Sequence, residues 1–356
     1  MSAGVLEAAV AALVPPFAFA GVALGWPDGR EAVVTRAAPG IVADGQSLFR
    51  AASLSKIVTG RVFRAAAGGR GFHPPYGADA SDLLGWRLRH PRWPEVPVTV
   101  GMVAAHVAGL SDAGGYLVPR GVALRDWLAR PACWGEGAPG TGFAYANLGY
   151  LLIAAMAERM AGERFDLLAR RELARIGVEG GFNWSGVPPA GRARRLATYR
   201  RAGGQFLPQI DGQVSARGLS GPEGRERRLR GWRAGEAPGV FSPQGGLRIS
   251  LCGALRLARS LSEADGPVLW SGETGDRQVF QSYGLGVQIL DAPAFWPRPV
   301  MGHFGNAHGF AGGLWKDRVT GVAFVVVLNG LPEGDEDDRL REEELALYGA
   351  LAHGCG

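Results

Sequence analysis

Lysine is almost absent from the 356-residue chain. Of its 38 basic residues only Lys56 and Lys316 are lysine, and the other 36 are arginine. Lysine is normally among the commonest residues in proteins. Arginine keeps its charge at any working pH, whereas a buried lysine can lose its proton and act as a base. The two retained lysines are therefore the first positions to inspect for chemistry that arginine cannot perform.

Cysteine is equally scarce. The chain has three cysteines, Cys133, Cys252 and Cys355, and they form neither a C-x-x-C pair nor a cluster with histidine. An odd number of widely spaced cysteines excludes a disulfide scaffold and a cysteine-based zinc site. We therefore expect reduced thiols, no metal and no organic cofactor.

Long apolar runs are also missing. No unbroken stretch reaches the roughly 20 residues that a membrane-spanning helix needs. Residues 8–26 are almost wholly apolar, but Glu7 precedes them, the first basic residue is Arg30, and Pro15-Pro16 interrupts the run. A signal peptide has a basic start instead. We therefore expect a short helix followed by a β-hairpin, a cytoplasmic protein and no membrane partner.

The charge balance gives little support for a nucleic-acid partner. The net charge is only +5, with 47% hydrophobic and 20% charged residues, as in ordinary globular proteins. Two basic stretches, Arg192–Arg201 and Arg225–Arg233, include Tyr199 and Trp232, but no nucleic-acid-binding motif accompanies them. We interpret both stretches as solvated surface or as loops near a substrate.

The order of the predicted elements indicates an α+β fold. Strand patterns occur near both ends of the chain, and amphipathic helices lie between them, which predicts one antiparallel sheet closed by both termini. Residues 1–67 and 244–356 should form the sheet subdomain, and residues 68–243 an inserted, mostly helical subdomain. Within residues 244–356, Leu247–Leu261 is predicted as a helix and Tyr283–Leu290 as a strand. The clearest helices of the middle are Thr99–Ala108, Val122–Ala129, Leu148–Met160 and Phe165–Ile176.

The first motif with possible chemistry contains Lys56. Ser53 precedes it by three residues in Ser53-Leu-Ser-Lys56, so the two side chains share one face of a helix. A serine at a helix N-terminus is placed where the helix dipole stabilises negative charge, and a desolvated lysine beside it can accept the serine proton. The alternative is that Ser53 only caps the helix and that Lys56 is an exposed charge.

The second motif is Tyr145-Ala-Asn147, at the start of a predicted helix. A phenol can relay a proton, and a neighbouring cation makes it more acidic. An amide side chain can orient a carbonyl or an N–H group of a substrate. The alternative is that Asn147 caps the helix and Tyr145 packs in the core.

The third motif is His303-Phe-Gly305-Asn306, on a predicted strand. Glycine on a strand lets a ligand approach the backbone closely. A backbone N–H of this strand, together with that of Ser53, would form an oxyanion hole. The alternative is that His303 is a strand histidine that faces solvent.

In this order the three motifs resemble those of the penicillin-recognising serine hydrolases, which carry S-x-x-K, then Y-x-N, then K-x-G or H-x-G. The chain is similar to their class C β-lactamase-like branch, which includes D-alanyl-D-alanine peptidases, D-aminopeptidases and family VIII-type esterases. Val98–Leu110 and Pro243–Leu247 also resemble segments of that branch. The resemblance covers the chain from about Pro16 to Ala350 and implies a β-lactamase/transpeptidase-like fold.

The resemblance also implies roles for the motif residues. Ser53 would be the acylated nucleophile and Lys56 its general base. Tyr145 would move protons and help activate the deacylating water, and Asn147 would hold the acyl side of the substrate. On the third motif, His303 and Gly305 would line the substrate site, and the backbone N–H of Asn306 would complete the oxyanion hole.

The third motif departs from that of the lactamases, which hold the substrate carboxylate with a lysine and a hydroxyl. His303 and Phe304 replace them, and each charged hydrogen bond lost weakens anion binding by about 1.5–3 kcal/mol. We also expect phenylalanine to make the cleft more apolar. The predicted function is therefore an esterase, amidase or D-amino-acid peptidase acting on a small ester, amide or peptide. A true β-lactamase and a non-hydrolytic, ligand-binding sensor module are the alternatives. The sequence makes no prediction of oligomeric state.

Overall fold

The computed structural model describes residues 3–13, 17–68, 75–119, 121–212, 229, 232–272, 282–334 and 340–353. Within these ranges the α-helices are α1 (Ala3–Ala11), α2 (Ser55–Gly68), α3 (Ala80–Leu84), α4 (Val100–Ala104), α5 (Leu124–Leu128), α6 (Asn147–Ala161), α7 (Phe165–Arg175), α8 (Pro189–Ala193), α9 (Leu251–Arg259) and α10 (Glu342–His353).

The strands of the described residues alternate with these helices. They are β1 (Phe19–Gly25), β2 (Glu31–Ala37), β3 (Phe49–Arg50), β4 (Gly180–Phe182), β5 (Thr198–Ala202), β6 (Gln205–Ile210), β7 (Leu247–Ile249), β8 (Trp270–Ser271), β9 (Ser282–Tyr283), β10 (Gln288–Leu290), β11 (Val300–Ala307), β12 (Phe310–Asp317), β13 (Ala323–Asn329) and β14 (Leu331–Pro332).

One antiparallel sheet forms the centre of the molecule. In the described residues it has eight strands in the order β2-β1-β13-β12-β11-β10-β9-β8. The first strand of the chain pairs with the last long one, with Phe19 opposite Asn329 and Gly25 opposite Ala323. The α+β class and the sheet built from both chain ends are thereby confirmed.

The central strands of this sheet are buried on both faces. Every residue of β1 and of β13 is buried. Along β13, Val325 and Val327 join the core that contains α2, α6 and α9, whereas Val326 and Leu328 join the core beneath α1 and α10. Because both faces of β13 are buried, its sequence is a continuous apolar run in which polar and apolar residues do not alternate.

The helical part packs onto the α2 side of the sheet. Helices α2 and α6 lie against each other, and α7 and α4 cover α6. Residues 68–243 contain helices α3 to α8, but they also contain the short strands β4, β5 and β6. The division into two subdomains stays a prediction, with α2 as the element that both parts contact.

Three of the predicted elements differ from the structure in type, in continuity or by more than two residues at one end. The predicted helix Leu247–Leu261 begins with strand β7, because these residues pair with β3 and β4, and Ser250 then caps α9. The predicted strand Tyr283–Leu290 is divided into β9 and β10 by a turn at Gly286, whose φ is 76°. The predicted helix Thr99–Ala108 ends at Ala104.

Two of the three cysteines lie among the described residues. Cys133 and Cys252 are free thiols, and Cys355 lies outside the described residues. In the described part of the chain, no helix combines the length and the apolarity needed to cross a membrane. The same residues contain no group of three or more His, Cys, Asp or Glu side chains arranged to hold a metal ion.

Candidate active site

Ser53 lies in a single 3₁₀ turn, Ala52–Leu54, directly before α2. Ala52 has a φ of 46°, and a left-handed residue other than glycine costs about 1–3 kcal/mol. This turn carries the chain from β3 into the helix. Ala52 and Leu54 are buried and Ser53 is half-buried. The serine is thus presented at the positive end of a helix with its side chain partly accessible.

Lys56 lies in the first turn of α2 and is fully buried, with 0% of its surface exposed. Its Nζ donates to Ser53 Oγ at 3.0 Å and to Asn147 Oδ1 at 2.8 Å. The backbone carbonyl of Gln244 accepts a third bond at 3.1 Å. The interpretation of Lys56 as an exposed helix charge is therefore wrong.

Tyr145 approaches the same serine from the helical side. Its OH donates to Ser53 Oγ at 3.0 Å, so the serine oxygen contacts both the phenol and the amine of Lys56. Tyr145 lies in the irregular stretch directly before α6 and is half-buried. A hydroxyl held between two groups that can exchange protons is the arrangement expected of an activated nucleophile.

Asn147, the first residue of α6, is oriented by Asp112, which the sequence patterns did not single out. The Asn147 amide donates through Nδ2 to Asp112 Oδ2 at 2.9 Å, which directs its Oδ1 toward Lys56. The same carboxylate accepts from the backbone N–H groups of Asn147 at 2.8 Å and Leu148 at 3.2 Å. Asp112 therefore caps α6 and sets the amide orientation at once. Its only sequence signal is its place two residues after the Val98–Leu110 segment.

His106 holds the segment that carries Tyr145. Its carbonyl accepts from Ala144 N at 2.8 Å, and its Nδ1 accepts from Ala146 N at 3.1 Å. Its ring stacks on the ring of Tyr145, with centroids 4.3 Å apart. Burial, and then the charge of Lys56, hold the pKa of His106 well below its usual range. A neutral imidazole thus contacts three consecutive residues around the phenol.

His303 lies on β11 near Tyr145, with ring centroids 6.3 Å apart. It is buried, with 1% of its surface exposed, so the interpretation as a solvent-facing strand histidine is wrong. Its Nε2 lies 2.6 Å from the OH of Tyr283, on the short strand β9. Tyr283 is also buried and contacts the ring of His106. His303 is therefore joined to Tyr145 through a buried group of rings.

Phe304 points away from this group. Its ring packs against Phe295 at 5.5 Å and Trp315 at 4.6 Å, in the core beneath α10. Successive side chains of a strand point to opposite faces, so Phe304 faces away from His303. The expectation that Phe304 makes the cleft more apolar is therefore wrong.

Gly305 brings β11 against the turn that contains the serine. A Cβ atom at this position would lie 3.1 Å from the carbonyl oxygen of Ala51 and 3.3 Å from the side chain of Leu54. A side chain would thus push the strand away from the turn. Asn306 follows on the same strand and is half-buried. The seven residues chosen from the sequence consequently lie in the 3₁₀ turn and the first turn of α2, at or just before the start of α6, and on β11.

Solved structures of similar shape extend over nearly the whole chain. D-amino acid amidase from Ochrobactrum anthropi SV3 matches with a TM-score of 0.70 and 16% identity, covering 99% of this chain and 98% of that one. Beta-lactamase/D-alanine carboxypeptidase from Yersinia pestis matches with a TM-score of 0.67 and 14% identity, covering 99% and 98%. D-stereospecific amidohydrolase from a Streptomyces species matches with a TM-score of 0.64 and 14% identity, covering 93% and 95%. These likenesses show the β-lactamase/transpeptidase fold.

The sequence comparisons give the family. A search of curated proteins found no match. The family model described as Beta-lactamase matches residues 8–348. Because that match spans nearly all of the sequence, the chain belongs to the β-lactamase family.

Proposed function

We propose that this protein is a serine hydrolase that works through an acyl-enzyme on Ser53. The observation that carries the proposal is the contact of Ser53 Oγ with both Lys56 Nζ and Tyr145 OH, each at 3.0 Å. Membership of the β-lactamase family supports it. Burial of Lys56 supports its role as the base, because removal from water disfavours the charged ammonium relative to the neutral amine.

In the proposed acylation Lys56 is the neutral amine, whose two N–H groups donate to Asn147 and Gln244 and whose lone pair accepts from Ser53. Ser53 Oγ attacks the substrate carbonyl carbon while its proton passes to Lys56 Nζ. The carbonyl oxygen gains the negative charge, and the backbone N–H groups of Ser53 and Asn306 stabilise it. Tyr145 then donates its proton to the leaving oxygen or nitrogen as the bond to the carbonyl carbon breaks. The phenolate regains a proton from Lys56, which restores the neutral amine.

In the proposed deacylation, a water molecule attacks the ester carbon of acylated Ser53. Tyr145 passes one proton of this water to Lys56 Nζ, and the same oxyanion hole holds the second tetrahedral intermediate. Lys56 then returns the proton to Ser53 Oγ as the bond between Oγ and the carbonyl carbon breaks. Ser53 leaves as an alcohol, and the acid product is released. Asn147 would hold the acyl side of the substrate, since a primary amide has two N–H donors and the described contacts use only the one to Asp112.

We propose an ester, an amide or a D-amino-acid derivative as the substrate class. Two of the similar structures are a D-amino acid amidase and a D-stereospecific amidohydrolase. His303 in place of the lactamase lysine removes a permanent positive charge from the site. A carboxylate-bearing β-lactam would therefore bind less tightly than it does to the lactamases.

A substrate panel tests this proposal. The purified protein should hydrolyse short p-nitrophenyl esters or D-amino-acid amides faster than nitrocefin, and Ser53→Ala should abolish turnover. Equal ester hydrolysis by wild type and Ser53→Ala would refute the proposal. Rapid nitrocefin turnover would indicate a β-lactamase, and stoichiometric labelling of Ser53 without turnover would indicate the sensor module.

A second variant tests the base. Lys56→Arg should be nearly as inactive as Lys56→Ala, because arginine keeps the charge but does not accept the serine proton. Lys316→Arg is the matched control, since Lys316 Nζ donates to the carbonyls of Arg259 and Leu261 away from the serine. Turnover at the wild-type rate in Lys56→Arg would exclude Lys56 as the base.

A further inference from the structure

The turn that contains Asp112 is bonded to a neighbouring helix and the residues that follow it. Asp112 begins a short 3₁₀ turn that ends at Gly114. Trp127, on α5, donates through Nε1 to the carbonyl of Gly115 at 2.8 Å. Arg130, two residues after α5, donates through Nη2 to the carbonyl of Gly114. Neither the sequence motifs nor the proposed mechanism uses Trp127 or Arg130, although both fix the end of this turn.

Trp127 and Arg130 also hold each other in place. The central carbon of the Arg130 guanidinium lies 3.5 Å from the centre of the Trp127 ring. A guanidinium is planar and stacks on an aromatic face, which attracts its positive charge. Both side chains are half-buried, so water competes only in part with these contacts. The stack therefore limits the directions in which the Arg130 nitrogens can point and favours the bond to Gly114.

The backbone of the turn lies directly against the residues that follow α5. A Cβ atom at Gly114 would lie 2.8 Å from Arg130 Nη2 and 2.9 Å from the carbonyl carbon of Ala132. Ser111, which precedes the turn, donates from its backbone N–H to the carbonyl of Cys133 at 2.9 Å. The turn is thus bonded to the same segment at both of its ends.

These contacts determine where Asp112 lies. Gly115, whose carbonyl accepts the bond from Trp127, donates from its own backbone N–H to the carbonyl of Asp112 at 2.7 Å. A displacement of Gly115 would therefore also move Asp112. The position of the Asp112 carboxylate thus depends on a segment that begins 12 residues later in the sequence than Gly115.

Asp112 is joined to the serine by three further hydrogen bonds. Its Oδ2 accepts from Asn147 Nδ2 at 2.9 Å, and Asn147 Oδ1 accepts from Lys56 Nζ at 2.8 Å. Lys56 Nζ lies 3.0 Å from Ser53 Oγ. Hydrogen bonds weaken steeply away from their preferred distances and angles. A shift of the Asp112 carboxylate would therefore weaken the bond that orients the Asn147 amide.

We propose that Trp127 and Arg130 are positioning residues of the active site, which hold the turn so that the Asp112 carboxylate directs Asn147 toward Lys56. They act through the backbone of the turn and not on the reacting atoms. The inference rests on the proposed function, because it assigns to both residues an effect on turnover. A contact that only stabilised the fold would leave the kcat of the folded protein unchanged.

A double-mutant cycle with Asp112→Ala tests this role. Arg130→Ala and Trp127→Leu should each lower kcat on a p-nitrophenyl ester about two- to tenfold, the lower part of the range for coupled residues of one network. In the Asp112→Ala background the same substitutions should change kcat less than about twofold, because the carboxylate through which they act is gone. Circular dichroism and urea unfolding check that each variant is folded.

Milder variants serve the same test if a truncated variant does not fold. Trp127→Phe keeps a ring beside Arg130 and removes the N–H bond to Gly115, so it should lower kcat about twofold or more. Arg130→Lys keeps the charge but not the planar stack, so its kcat should stay below that of wild type.

Arg92→Ala is the matched control. Arg92 also stacks on a tryptophan, with its guanidinium 4.9 Å from the centre of the Trp93 ring, and donates to the carbonyl of Gly135 at 3.4 Å. This variant should keep the wild-type kcat, because these contacts lie outside the turn that contains Asp112.

Two results would overturn the positioning role. The first is a wild-type kcat in the folded variants of Trp127 and Arg130, which would leave both residues with a structural role only. The second is an equal loss of kcat with and without Asp112, which would show that they do not act through its carboxylate. If Ser53→Ala is inactive in either case, the hydrolase proposal stands. If Ser53→Ala hydrolyses the ester as wild type does, the proposed function fails and the positioning role fails with it.

Discussion

Asp112→Ala should separate the capping of α6 from the orientation of Asn147. The Asp112 carboxylate accepts three N–H bonds, from the Asn147 amide and from the backbone N–H groups of Asn147 and Leu148. Alanine removes both acceptor oxygens and with them all three bonds. The Asn147 amide then loses the bond at Nδ2, and only the bond from Lys56 Nζ still acts on its orientation.

The magnitude follows from these contacts. Loss of a side-chain cap costs about 0.5–2 kcal/mol of stability. Asp112 is half-buried, so water can replace part of the two backbone bonds, and we expect the free energy of unfolding to fall by about 1–2 kcal/mol. The bond from the Asn147 amide to a charged acceptor is worth about 1.5–3 kcal/mol. Losing that orientation should lower kcat about tenfold or more, since 1.4 kcal/mol is one factor of ten.

The assay compares Asp112→Ala with a matched cap. Asp79 accepts from Ser81 N at 2.9 Å at the start of α3 and pairs with Arg89 at 2.5 Å. Asp79→Ala should lose similar stability in urea unfolding and keep the wild-type kcat on a p-nitrophenyl ester. If both variants lose stability and both keep kcat, Asp112 is only a cap and the orientation argument is refuted.

Two further predictions concern buried ionisable groups. His106→Gln should lower kcat about tenfold, because the stack on Tyr145 is lost. The dependence of kcat on pH between 5 and 8 should keep its shape, since the pKa of His106 lies well below its usual range. A variant whose kcat no longer falls on the acidic side would contradict this. Burial raises the pKa of Glu158 from 4.5 to about 7. Its contribution to stability is thus fully present below about pH 4.5 and lost as the pH rises through 7. Melting curves from pH 4 to 8 should show this loss of stability in wild type and not in Glu158→Gln. If the melting temperature depends on pH equally in both proteins, Glu158 is not the cause of the loss.

Much of the fold was predictable because its determinants are local or depend on the order of segments. Apolar strand patterns at both chain ends indicated the shared antiparallel sheet, which the pairing of β1 with β13 confirms. The predicted bounds of helices and strands were wrong where tertiary contacts determine them. Leu247–Ile249 forms a strand because β3 and β4 pair with it, although its apolar pattern continues into α9.

In the candidate site too, local features were predictable from the sequence and tertiary contacts were not. Ser53 and Lys56 were recognisable together because a spacing of three residues on a helix places side chains on one face. Asp112 and His106 were not, because their contacts join segments 35 and 40 residues apart in the sequence. The direction of Phe304 also depended on the register of β11, which the motif alone did not determine.

By itself, the sequence determined the α+β class, the family resemblance and the serine–lysine pair, since composition, periodicity and short spacings are local properties. The near-absence of lysine drew attention to Lys56 before any motif did. Only the tertiary structure decided that this lysine is buried between Ser53 and Asn147. It alone also brought Trp127 and Arg130 against the turn that contains Asp112, because those bonds join residues 12 and 16 positions apart in the sequence.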